Sequence, residues 1–159
     1  VGDANISWQE AVSSLARERS QAETYARLLK KFGDQSSITR GSVAYGEAKA
    51  EYDGVIAGLI VALARKQKPT SVSDLQDRLQ RGFEKRQTFC SSVEALLPST
   101  AGQKGLIAEV VKGAVGPLID AIKEIYLRAK DDDVVVRKTI QTQLEAASWP
   151  DFSAISPTP

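Results

Sequence analysis

Histidine is absent from this chain, and that omission narrows its chemistry more than any motif does. Imidazole is the commonest general base, the commonest metal ligand and the side chain that titrates nearest neutral pH. Its absence excludes a Glu-x-x-His di-metal bundle and any catalytic triad that needs histidine. Cysteine is reduced to Cys90, which rules out an intramolecular disulfide and a cysteine-cluster metal site. Cys90 falls on an apolar helical face, where a buried, inert thiol is expected. Methionine is missing too, and the chain begins at Val1. Such a start is not an initiator. A removed signal peptide and an excised piece are the two readings, and a processed, extracytoplasmic bacterial protein is the expectation.

Aromatic residues make up 6% of the chain, too few for a base-stacking platform. Twenty-one basic residues face twenty acidic ones, for a net charge of +1, so nucleic acid is not an expected partner. Gly102-Gln103-Lys104-Gly105 lacks the spacing and the preceding strand of a phosphate loop. Neither Ser-x-x-Lys nor Gly-x-Ser-x-Gly occurs. No cofactor is expected. The longest apolar run, Val55 to Ala64, covers only ~15 Å as a helix, about half a bilayer core, so a membrane span is not expected.

What is present is helical. A hydrophobic content of 42% and a charged content of 26% are ordinary for a globular chain, and 159 residues suit one domain. Residues 1–155 are expected to form it, with 156–159 (Ser-Pro-Thr-Pro) a loose tail. The organising stretch is Thr39 to Lys68, apolar all round at its centre and therefore buried on most sides. Along it Ser42, Gly46, Ala50, Gly54, Gly58 and Ala62 recur at every fourth residue, a shallow groove into which a neighbouring helix could settle.

Helix 1 is expected over Ser7–Phe32, opened by the capping box Ser7-Trp8-Gln9-Glu10 and closed at Gly33. Helix 2 follows a polar turn, capped by Ser37 or Thr39 and stopped by Pro69. Helix 3 starts at Ser71 or Ser73 and ends at Pro98; its basic residues Arg78, Arg81, Lys85 and Arg86 have Asp74, Asp77 and Glu84 within reach on the same helix. Beyond Ala101 two parses compete. Gly116-Pro117 argues for a short helix over 103–115 and then a long one from Pro117 to Ser148, since proline is disfavoured inside a helix and welcome at its first position. Asp131-Asp132-Asp133 argues for a break there and a fifth helix.

The first parse is preferred. The expected architecture is an all-α, up-down-up-down four-helix bundle with an extra short helix before the last long one. It would bring Trp8, Trp149 and Phe152 to one end; the five-helix parse sends Trp149 back toward the other.

One constellation could carry chemistry. At mid-bundle the inward seam turns polar: Glu18 and Arg19 on helix 1, Tyr52 and Asp53 on helix 2, Arg86 on helix 3, Asp133 on the last helix. If these meet, they must pair internally, because unpaired buried charge is too costly. As acid–base machinery the set is incomplete, for it contains no identifiable nucleophile. The Asp131–Asp133 triplet points in three directions and lacks a calcium-loop glycine, so no metal site is expected. Gly105–Leu127 has one apolar face, but its mixed charges differ from the Lys/Arg-rich face of a membrane-surface helix. The expected function is a non-enzymatic interaction or structural module that binds a protein partner or itself. The alternatives are a carrier or sensor of a small apolar ligand between helices, and a membrane-surface protein.

Overall fold

In the computed structural model, residues 7–65, 70–98, 106–130 and 133–155 are described, side chains excepted for 106–115. Among them there are five α-helices and no strand: α1 (Trp8–Phe32), α2 (Gln35–Leu63), α3 (Val72–Glu94), α4 (Leu106–Arg128) and α5 (Val134–Ala146), followed by a single 3-10 turn over Phe152–Ala154.

Serine side chains cap the starts of α1 and α3. Ser7 Oγ accepts from the Glu10 N–H at 3.3 Å, and Ser71 Oγ accepts from the Asp74 N–H at 3.2 Å. Helix α2 begins earlier than the sequence suggests. Asp34, not Ser37 or Thr39, is its cap, accepting from the Ser37 N–H at 2.7 Å. The α1–α2 connection is therefore just Gly33 and Asp34. Gly33 is needed there because a Cβ would sit 2.6 Å from the Leu29 carbonyl, which accepts the Gly33 N–H. At its other end α2 closes at Leu63. Arg65 then takes a left-handed φ of 56° and sends its Nε to the Ala129 carbonyl, tying the ends of α2 and α4 together. The expected stop at Pro69 lies outside the described residues.

The second half corrects the preferred parse. Helix α4 runs through Pro117 without stopping, and the chain breaks instead before Asp133, which caps α5 by accepting from the N–H groups of Val135 and Val136. Proline removes one hydrogen bond from α4. Leu118, Ala121, Ile122 and Ile125, all buried, hold the helix in place across that gap. A heptad phase continued past Ala129 puts Gln143 on the inner seam, yet Gln143 is exposed while Ile140, Leu144 and Ala147 are buried. The long helix comes first and the short one after it, the reverse of the expected order.

The chain then lies as an extended strap across α1 and α2. Arg19 Nε donates to the Ser148 carbonyl at 2.8 Å, and Asp53 Oδ1 accepts from the Trp149 N–H at 3.3 Å. The Tyr45 hydroxyl donates to the Pro150 carbonyl at 2.7 Å, and Lys30 Nζ donates to the Ile155 carbonyl. Trp149 stacks on Tyr52 with ring centroids 4.7 Å apart and leans on Tyr45 at 5.3 Å; Phe152 follows, 5.6 Å from Tyr45 and beneath the Lys30 ammonium. Trp149 is thus level with Arg19, eleven positions along α1 from Trp8, or ~16 Å at helical rise. The gathering of Trp8, Trp149 and Phe152 at one end does not occur.

Candidate functional site

The apolar register of α1 and α3 calls for inward residues at two places where the sequence supplies charge. On α3 the buried series is Leu75, Leu79, Phe83, Arg86, Phe89/Cys90, Val93; on α1 it is Leu15, Glu18, Ala22, Tyr25, Leu29. Arg86 and Glu18 therefore face each other across the core. Arg86 is 0% exposed and Glu18 4%, and the two form an ion pair through Arg86 Nη1 and Glu18 Oε2. The Tyr52 hydroxyl, on α2, donates to Glu18 Oε2 at 3.2 Å, while Gln21 Oε1 accepts from Arg86 Nη1 at 3.2 Å. Arg86 Nε and Nη2 find no acceptor among the described residues; the guanidinium lies 5.7 Å from the Phe83 ring centre.

Burial depresses the Arg86 pKa to about 10, which still leaves the guanidinium charged at neutral pH. Burial also lifts the Tyr52 phenol well above its ordinary value, so it stays a donor. Cys90, one turn from Arg86, is pushed up to about 12, burial outweighing the pull of that cation. A thiol so placed is not a nucleophile at neutral pH.

The remaining polar seam residues do other work. Arg19 and Asp53 grip the strap, with Glu23 and Lys49 as their respective ion partners on the same helices. Asp133 caps α5. So the structure brings Glu18, Tyr52 and Arg86 together, sets Arg19 and Asp53 along one edge, and places Asp133 at the start of α5. Gln21 escaped sequence reasoning, because an amide one turn from a half-buried seam carries no pattern.

The small-residue row divides in two. A four-residue step advances about 400° around a helix, so each member is rotated about 40° from the last. Gly46 and Ala50 are exposed and Ser42 half-buried, its hydroxyl donating to the Thr39 carbonyl; a Cβ on Gly46 would meet nothing within 4 Å. Gly54 lies under the Arg78 guanidinium, Gly58 under Leu75, and Ala62 is buried. The row is a helix contact in its C-terminal half alone. Close approaches also occur at glycines outside it, where Gly41 meets Leu29 and Gly82 meets Tyr52.

A second charged cluster corrects the pairing expected along α3. Arg78 and Arg81 reach across to Glu51 on α2, at 3.0 and 2.9 Å, and Lys85 reaches it at 3.3 Å. Burial raises the Glu51 pKa, but the bonds from Arg81 and Lys85 outweigh it and the net shift is downward. Among the described residues no three His, Cys, Asp or Glu side chains gather as a cation site, and no helix is long and apolar enough to cross a membrane.

Comparison with known proteins returned no match, whether to a family model, a curated protein or a solved structure.

Proposed function

We propose that this chain is a non-enzymatic helical interaction module, acting through its outer faces and not through an interior reaction centre. The observation that carries this reading is the closure of Glu18, Tyr52 and Arg86 on one another inside the core. A substrate could reach none of the three without the bundle opening. Their use is to specify register, as buried polar groups do in coiled coils. We read the helices as alternating in direction, an up-down bundle whose final limb is α5 plus the strap. Antiparallel contacts support this for α2 and α3, where Glu51 meets Lys85 and Gly58 meets Leu75.

Neither alternative draws comparable support. Arg78 and Leu75 cover Gly54 and Gly58, leaving no ligand space along that part of the row. The described half of the α4 apolar face is buried within the bundle and not offered to a lipid surface.

The test is cross-linking in the native source, reconstitution with the purified partner, and light scattering on the mixture. A stoichiometric complex or a two-fold dimer, burying well over ~1,000 Å², is the expected result. A chain that stays monomeric, engages no protein and turns over a small substrate overturns the reading.

A further inference from the structure

The strap and the buried ion pair draw on adjacent residues of the same two helices. On α1, Glu18 faces inward to Arg86, while Arg19 beside it donates to the Ser148 carbonyl at 2.8 Å. On α2, the Tyr52 hydroxyl donates to Glu18, while Asp53 beside it accepts from the Trp149 N–H at 3.3 Å. One residue is a step of about 100° around a helix, so each helix gives one neighbour to the core and the next to the strap. Trp149 closes the circuit: its ring stacks on that of Tyr52, with centroids 4.7 Å apart.

Side chains alone tie the strap down. Among the described residues no main-chain bond joins 148–155 to α1 or α2; the bonds come from Arg19, Lys30, Tyr45 and Asp53, and Trp149 and Ile155 are the buried anchors. A segment held without a main-chain ladder can lift away while the helices stay folded.

We infer that residues 148–155 form a latch that opens as a unit and is coupled to the Glu18–Arg86 pair through Tyr52, Arg19 and Asp53. With the latch raised, Tyr52 loses the ring that backs it, and its hydroxyl is no longer fixed on Glu18. With the pair broken, the Glu18 carboxylate is driven toward water, because a buried charge without its partner is too costly. The turn of α1 that takes it there carries Arg19 off the Ser148 carbonyl. Shut latch and assembled pair are thus two ends of one conformational device, each biasing the other. The device stands apart from the interaction-module reading and does not depend on it.

Hydrogen exchange on the full chain tests it, followed at the Trp149 and Ile155 amides and at the Arg86 Nε–H. Tyr52→Phe deletes the hydroxyl and keeps the ring, so it removes no contact of the strap, yet it should speed exchange at Trp149 and Ile155 by at least ~10-fold and to a like degree at both. Asp53→Ala touches the strap and Lys49 but not the pair, yet it should speed exchange of the Arg86 Nε–H by at least ~10-fold. Leu75→Val, made against Gly58 and away from strap and pair, is the reference: it should lower the urea midpoint and leave the strap amides within ~2-fold of the parent. Strap amides that accelerate equally in the reference would show that the segment opens only with the whole chain. Strap exchange unmoved by Tyr52→Phe, Arg86 exchange unmoved by Asp53→Ala, or Trp149 and Ile155 responding separately overturns the inference.

Discussion

Replacing Arg86 by methionine tests the account of the core most directly. Arg86 is wholly buried, and its loss leaves the Glu18 carboxylate, equally sealed, with the Tyr52 hydroxyl as its remaining described donor. Breaking a buried pair from one side costs about 3–5 kcal/mol, a large share of the roughly 5–15 kcal/mol that holds a typical domain together. Arg86→Met should therefore lower the urea midpoint sharply while leaving the m-value unchanged. The companion is the triple variant Glu18→Leu/Tyr52→Phe/Arg86→Met, which removes every charge and the hydroxyl together. Two nitrogens of Arg86 lack acceptors among the described residues, so the native network is an imperfect solution to its own desolvation. An apolar replacement of similar volume should match the native chain or exceed it, by up to about 4 kcal/mol. A single variant costing less than about 1 kcal/mol would refute the burial argument. A triple variant as weak as the single one would show that the network contributes net stability and not specificity.

Three further outcomes follow from the same geometry. Gly46→Ala should stabilise the chain by about 0.4–1 kcal/mol, because its Cβ meets nothing. Gly58→Ala should destabilise it by about 1–3 kcal/mol, since its Cβ falls 2.5 Å from the buried Leu75 side chain; equal effects in thermal melts would contradict the division of the row. Cys90 has its folded pKa raised to about 12 from an ordinary 9.0, so its contribution is complete below pH 9 and declines as pH rises toward 12, with Tyr25 and Tyr52 acting in the same direction. Stability should fall above pH 9, and native Cys90 should resist a thiol reagent at pH 8 that labels it at once in urea; prompt native labelling would count against its burial. Trp149→Ala should cost about 3–5 kcal/mol and free the strap, seen as faster amide exchange at Trp149 and Ile155; unchanged exchange would mean the backbone bonds hold the strap without the ring.

Much of the interior was legible because helical periodicity is strict. Once Leu15, Ala22 and Tyr25 set the phase of α1, Glu18 had to face inward, and Phe83 and Cys90 did the same for Arg86. The positions on α2 were harder. Tyr52 shares the seam with Val55 and Leu59, but nothing local indicates that Glu51, its neighbour, draws three cations from another helix. Arg78, Arg81 and Lys85 had acids within reach on their own helix, and the choice between those and Glu51 depends on the register of two helices. Proline at position 117 misled for the same reason. Its penalty is local and calculable, whereas the packing of Leu118, Ile122 and Ile125 that overrides it is not.

What the amino-acid order determined by itself is the set of short-range decisions. Serine hydroxyls close the first turns of α1 and α3, and a repeat near 3.6 selects the inward face, each interaction spanning a few residues. Tertiary structure alone decided which half of the glycine–alanine row is covered, that the chain turns at Asp133 and not at Pro117, and that residues 147–155 cross α1 and α2 to be held by Arg19, Lys30, Tyr45 and Asp53. The covering of the row joins residues 17 and 24 positions apart, and the strap joins residues 96 to 129 apart. Their energies exist only after the helices have chosen neighbours and register, and no local pattern encodes that choice.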